Sequence, residues 1–217
     1  MFDGNHARTE SLTDLSAFSG TAGLGQTAVE RVPSPPEDLV HAFNANQIAS
    51  KTWLVDRVYE TFGGNFATVY VLGGWYGALG ALLLDDPRYR VGRVLSIDID
   101  PTCAEVAERV NAEAAAGDRF RAVTGDAATI DYRPAAPSDL VINTSCEHMA
   151  DTGAWFDRIP RGAALVLQSN DYFDCPEHVN CVADLAAFKA QVPMSKIHYE
   201  GTLKRRRYSR FMLIGRR

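Results

Sequence analysis

Two stretches of this 217-residue chain carry more reactive chemistry than folding requires. The first is Gly73-Gly74-Trp75-Tyr76-Gly77-Ala78-Leu79-Gly80, which follows an apolar, β-branched run. Glycines there let the backbone approach a ligand closely, and they open the amide-rich start of a following helix. About twenty residues further on, Ser96-Ile97-Asp98-Ile99-Asp100 closes a second apolar run. A carboxylate at that point can accept both hydrogen bonds of a ribose diol. Asp100 competes with Asp98 for this role; its other use is to cap the helix that Pro101 begins. A third run ends in Val123-Thr124-Gly125-Asp126, with another acid.

The second stretch is Asn143-Thr144-Ser145-Cys146-Glu147-His148-Met149. An amide, hydroxyls, a thiol, a carboxylate and an imidazole side by side exceed what core packing uses. His148 is the candidate general base, with Glu147 orienting it or holding a substrate amine. Asn143 can hydrogen-bond beside the reacting group. Further on, Gln168-Ser169-Asn170-Asp171-Tyr172-Phe173 leads into a loop with Glu177, His178 and Asn180. Such a polar and aromatic loop suits a small polar substrate, and Tyr172 is placed to face it. Each group also has a structural use: Asn143 or Thr144 as a helix cap, Trp75 and Tyr76 as packing beneath the glycine loop.

These residues fall at the ends of elements that alternate along the chain. Residues 1–36 are rich in Gly, Ser, Thr and Ala and close on Pro33, Pro35 and Pro36, so a flexible arm is expected. Residues 37–62 have helical spacing with a weak point at 44–50, and Gly63-Gly64-Asn65 stops them. From that segment Gln47, Lys51 and Trp53 are placed to close over a ligand as a lid. Residues 63–217 then read as one domain. Strands are expected over 68–72, 93–97, 120–123, 140–142 and 163–167, with helices over 77–84, 101–116, 153–158 and 183–191. Two alternating segments, 196–200 and 208–214, read as a closing hairpin around a charged turn. Alternation of this kind implies an α/β, Rossmann-like, doubly wound sheet of about seven strands, mostly parallel. Ligands in such a sheet collect at the carboxyl ends of the strands.

At this point residues 63–217 resemble the class I S-adenosylmethionine-dependent methyltransferase superfamily. The resemblance implies S-adenosylmethionine as cofactor. Gly73, Gly74 and Gly77 would face its methionine portion, Asp98 its ribose and Asp126 its adenine. Trp75 and Tyr76 join them as cofactor contacts, since a sulfonium is attracted to aromatic faces. Strand four would face the transferred group, which places Asn143, Glu147 and His148 there. The chain departs from the family at Val71, where an acid often precedes the first glycine by two residues. The expected reaction is N- or O-methylation of a small polar molecule. Two other readings use the same fold: attack at the γ-carbon with release of methylthioadenosine (aminocarboxypropyl transfer or closure to azetidine-2-carboxylate), and cofactor binding without catalysis. A nicotinamide cofactor fits less well. The glycines do not form G-x-G-x-x-G, and Trp75-Tyr76 would crowd a pyrophosphate.

Composition narrows the partners. A formal net charge of −5 argues against nucleic acid, as does the lack of an Asn-Pro-Pro-aromatic sequence after strand four. The basic group Lys204-Arg205-Arg206-Arg207, with Arg210, reads as a solvated turn. No apolar run is long enough to span a bilayer and no basic-apolar leader opens the chain, so a cytoplasmic enzyme is expected. Cys103, Cys146, Cys175 and Cys181 are too sparse for a disulfide scaffold. Cys175, His178 and Cys181 lack the spacing of paired zinc knuckles, and no metal is expected. A homo-oligomer is compatible with the sequence.

Overall fold

A computed structural model describes residues 8–12, 32, 36, 38–132 and 138–217. Its centre is one sheet of eight strands: β1 (Arg8–Leu12), β2 (Asn65–Leu72), β3 (Arg90–Asp98), β4 (Phe120–Thr124), β5 (Leu140–Asn143), β6 (Ala164–Asn170), β7 (Lys196–Lys204) and β8 (Ser209–Arg216). Their spatial order is β1-β7-β8-β6-β5-β2-β3-β4. Every pairing is parallel except those of β8, which runs against β6 and β7.

Each buried strand is apolar on both faces, and alternate residues feed opposite cores. Val69 and Val71 of β2 join one cluster with Ile142 and Val166, covered by Trp53, Leu54 and Val58. Tyr70 and Leu72 join the other with Val141 and Leu165, covered by Trp155, Phe156 and Phe188. This two-sided burial is what a doubly wound sheet demands. The helices that supply the covers are α1 (Leu39–Ala42), α2 (Ala45–Phe62), α3 (Ala78–Asp85), α4 (Cys103–Val110), α5 (Ala112–Ala116), α6 (Thr152–Arg158) and α7 (Leu185–Gln191). Among the described residues, no helix is long and apolar enough to cross a membrane.

Four expectations need adjustment. The break in the first helical segment falls sharply at Asn44, whose side chain caps α2 by accepting from the Gln47 amide at 2.9 Å. The helix expected over 101–116 divides at Asn111 into α4 and α5. The first strand of the hairpin runs on to Lys204, so only 205–208 form the turn. Finally, residues 8–12 of the expected flexible arm form β1, which pairs in parallel with β7. An open strand edge presents unpaired backbone groups, and an extended segment can satisfy them. The rest of the arm, apart from Val32 and Pro36, lies outside the described residues.

The chain order reverses between β2 and β5, which pair side by side. Connections after β2 lead outwards to β3 and β4, while those after β5 lead the other way to β6. The carboxyl ends of β2 and β5 therefore flank a crevice, the usual ligand position in open α/β sheets.

Candidate active site

A cavity of about 1220 Å³ opens at that crevice. Pockets for a single drug-sized ligand run to roughly 300–1,000 Å³, so this space exceeds what one small molecule needs. Gly73, Gly74, Trp75, Tyr76, Asp98, Asp126, Asn143, Glu147, His148 and Tyr172 all border it. Gly77 does not. Its positive φ of 76° starts α3, and an added Cβ would meet Asn111 and Phe120. It serves close packing of α3 on the neighbouring helix and strand.

One half of the cavity is built from backbone. Gly73 takes a φ of 63° and Trp75 one of 47°, so the chain reverses tightly after β2. The Gly74 amide donates to the Ile97 carbonyl at 3.1 Å, which pins the turn to the end of β3. Asp98 completes the tie: one carboxylate oxygen accepts from the Trp75 amide at 2.8 Å, the other from the Asp100 amide at 3.1 Å. Each oxygen retains a lone pair for a ligand. Asp100 is turned to a local task, accepting from the Thr102 amide and hydroxyl at 2.8 Å each, and it does not border the cavity. Hydrogen bonds from Thr102 hold its carboxyl below the usual range. Asp126 lies at the rim after β4, where it accepts from the Ala128 amide. Ile99 also borders the cavity and is 70% exposed, an apolar side chain with nothing folded over it.

Tyr76 is buried, and its hydroxyl donates to Asp38 at 2.6 Å, which joins the glycine loop to the segment before α1. Burial and that carboxylate both push the phenol above its usual range. Trp75 stacks on it, with ring centroids 5.2 Å apart, and stays half-buried at the cavity wall.

The other half is built from side chains. Glu147 is 2% exposed, and one of its oxygens accepts from Asn170 at 2.7 Å and Arg210 at 2.8 Å. Its second oxygen is buried with no hydrogen-bond partner among the described residues. Arg210 also donates to the Gln168 side chain and the Thr144 carbonyl. Glu147 thus holds Arg210 and does not orient His148. The imidazole of His148 is oriented by the loop after β6, where its Nδ1 lies 3.1 Å from the Glu177 carbonyl. A carbonyl only accepts, so Nδ1 carries the proton and Nε2 is left as the basic nitrogen. Asn143 is 1% exposed; its side-chain oxygen accepts from the Ser145 amide at 2.9 Å, which fixes the chain just ahead of the turn Cys146–His148. Asn180 fastens the loop to that turn through its amide to the Glu147 carbonyl and its side chain to the Met149 carbonyl, both at 2.9 Å.

Two groups at this end, Arg210 and Tyr208, were not singled out as site residues by their sequence, and a third, Lys51, was expected there only as part of a lid. Arg210 belongs to no solvated turn: it sits on β8 directly beside Asn170 of β6, which carries it into the cavity wall. Tyr208 comes in from the same turn and stacks on Tyr172, with centroids 5.6 Å apart. Lys51 reaches the cavity from α2 with Gln47, to which its ammonium donates at 2.7 Å. Burial, then repulsion from Arg210, brings its pKa down to about 7, against the pull of Glu147. The lid expectation splits here. Gln47 and Lys51 border the cavity, whereas Trp53 is buried against the sheet and donates to the Tyr199 hydroxyl at 3.1 Å.

No protein-family model and no curated protein matches the chain. Solved structures do match its fold. The magnesium protoporphyrin IX methyltransferase ChlM from Synechocystis, with bound S-adenosylhomocysteine, superposes with a TM-score of 0.60 over 89% of this chain and 96% of its own, at 15% identity. The N-methyltransferase NodS from Bradyrhizobium japonicum, in complex with S-adenosylhomocysteine, gives 0.60 over 88% and 98%, at 13% identity. A geranyl diphosphate methyltransferase in complex with its substrate and sinefungin gives 0.60 over 79% of each chain, at 12% identity. The chain therefore has the Rossmann-like fold that these methyltransferases share.

Proposed function

We propose that this protein is an S-adenosylmethionine-dependent methyltransferase acting on a small molecule. The observation that carries the reading is the Asp98 carboxylate, held at the end of β3 against the Gly73-Gly74 turn with a lone pair free on each oxygen. It lines a cavity with room for two molecules, in a fold whose solved examples hold S-adenosylhomocysteine.

The residues present fit the cofactor. An added Cβ on Gly73 would run into Ser145, and one on Gly74 into Ser96, so the two glycines let the turn close against the ends of β5 and β3 while its backbone borders the cavity. Asp98 would take the ribose hydroxyls, Ile99 and Asp126 would meet the adenine, and Trp75 would offer its face towards the sulfonium. When bound, the cofactor supplies an electrophilic methyl group. The chain's part is to hold an acceptor in line with it and take the acceptor's proton. Asn143, Glu147, His148 and Tyr172 line the half that would seat the acceptor. Two nitrogens there can receive a proton: His148 Nε2, left open because Nδ1 faces a carbonyl, and the amine of Lys51, whose pKa burial brings down to about 7.

The acceptor follows from the site and not from the fold, because the matched methyltransferases are named for acceptors as different as a porphyrin and a prenyl diphosphate. The buried amide, carboxylate and guanidinium around Glu147 favour a small polar acceptor with N- or O-methylation. Incubation with S-adenosylmethionine and cell extract, followed by mass spectrometry of the nucleoside product, tests the reading. S-adenosylhomocysteine is expected. Methylthioadenosine would replace methyl transfer by aminocarboxypropyl transfer or ring closure, and saturable binding with no nucleoside product would reduce the protein to a cofactor binder.

A further inference from the structure

We propose that Glu147, His148 and His178 form a binding site for a divalent transition-metal ion at the acceptor end of the cavity. One ligand-capable atom from each of the three lies within 4.8 Å of the other two. The two imidazoles meet edge to face with centroids 4.7 Å apart. Three independent features prepare the cluster for a cation. His148 Nδ1 lies 3.1 Å from the Glu177 carbonyl, and His178 Nδ1 lies 3.0 Å from the Tyr172 carbonyl. Both carbonyls fix the proton on Nδ1, which leaves both Nε2 lone pairs free; metal-binding histidines are oriented by this kind of outer hydrogen bond. Thirdly, the Glu147 oxygen without a partner is buried, although an unsatisfied carboxylate oxygen is costly to bury. Its other oxygen is held by Asn170 and Arg210, which fixes the carboxylate plane and offsets part of its charge.

Two imidazoles and one carboxylate select zinc, iron or cobalt over magnesium or calcium, which prefer all-oxygen sites. In a loaded site the ligand atoms would close to about 2.0–2.2 Å from the ion. His148 is exposed and His178 half-buried, so both rings have room for that adjustment. Three protein ligands leave a coordination position open, the mark of a catalytic site as opposed to a structural one. An oxygen or nitrogen of a small polar molecule fits that position, and the ion would lower its pKa. His148 would then act as a ligand and not as a base. Ion binding itself does not depend on the methyl-transfer reading; only the identity of the molecule in the open position rests on it. Of the cysteines that share the loop, Cys175 donates to Glu177 at 3.0 Å and Cys181 to Asn170 at 3.3 Å; the Cys181 thiol also lies 3.7 Å from His178 Nδ1, the nitrogen that faces the Tyr172 carbonyl.

The test is titration of the chelator-stripped full chain with Co(II), followed by visible absorption, and with Zn(II), followed by calorimetry. One ion per chain is expected. His148→Ala and His178→Ala, each checked for an unchanged circular dichroism spectrum, should weaken binding by at least about the 10–100-fold that loss of an outer-shell partner alone costs. A Cys175→Ser/Cys181→Ser chain should bind as the wild type does. Absence of a cobalt spectrum in the wild type, binding that survives both histidine changes, or binding lost with the cysteines would each overturn the proposal. None of these readouts requires activity, so methyl transfer can fail while the metal site stands, and the reverse.

Discussion

The two halves of the cavity are made in opposite ways. Around Gly73, Gly74 and Asp98 the wall is backbone amide and carbonyl, fixed by a tight reversal and by one carboxylate that accepts from two amides. Around Glu147 and Arg210 the wall is side chain, a buried ion pair with an amide and two imidazoles arranged about it. A backbone wall suits a ligand whose shape never changes. A side-chain wall can be respecified for a different ligand by substitution alone, without any change of backbone.

Breaking the side-chain half should have the larger effect on folding. Arg210→Ala leaves Glu147 buried without its counter-charge, which costs about 3–5 kcal/mol. For a chain of this size the melting temperature should fall by roughly 6–20 °C. The double change Glu147→Met/Arg210→Met should recover most of that loss, since apolar replacement of a buried pair is often neutral. Full loss in the double variant would show that the pair is not the origin of the effect.

A smaller effect is expected where the halves meet. Gly73 has a φ of 63°, and an added methyl would strike Ser145 at the end of β5. Gly73→Ala should cost about 1–2 kcal/mol for the left-handed backbone, before the clash is counted. Gly74→Ala, whose φ is not positive and whose obstacle is the Ser96 side chain, should cost less. Chemical denaturation of the two variants ranks them directly, and the reverse order would contradict the described turn.

A separate signal is a slope in pH. The Lys51 amine has a folded pKa of about 7, below its ordinary 10.5. Between those values the unfolded chain binds a proton that the folded chain lacks, so its contribution to stability rises with pH across that window. Below about pH 7 the cost of burying the charge is felt in full. Lys51→Met should flatten the stability profile over the same window. An unchanged slope would place the amine in water.

Much of this arrangement could be read from residue order, and the portion that could not has a common cause. The glycine turn, Asp98, Asp126 and the Asn143–Met149 stretch each follow a strand directly, so alternation of apolar runs places them at one edge of the sheet without any knowledge of pairing. Arg210 and Tyr208 depend on which elements become neighbours. Arg210 meets Asn170 only because β8 inserts beside β6, and a charged residue near three other arginines looks like a solvated turn until that ladder is known. Trp53 misled for the reverse reason: it lies two residues beyond Lys51, which puts it on the opposite face of the helix, and its ring packs on the sheet side of α2 beside Tyr199. The pairing of β1 with β7 comes from a segment whose composition resembles a linker, and composition says nothing about an open strand edge far along the chain.

Calorimetric titration of S-adenosylhomocysteine into the wild type, Asp98→Ala and Asp100→Ala addresses the main proposal most directly. The wild type should saturate at one ligand per chain, and Asp100→Ala should match it. Asp98→Ala should lose about 2–3 kcal/mol, roughly 30- to 150-fold in affinity, for the charged hydrogen bonds removed. Failure of the wild type to bind, or an Asp98→Ala chain that binds as tightly as the wild type, would contradict the account.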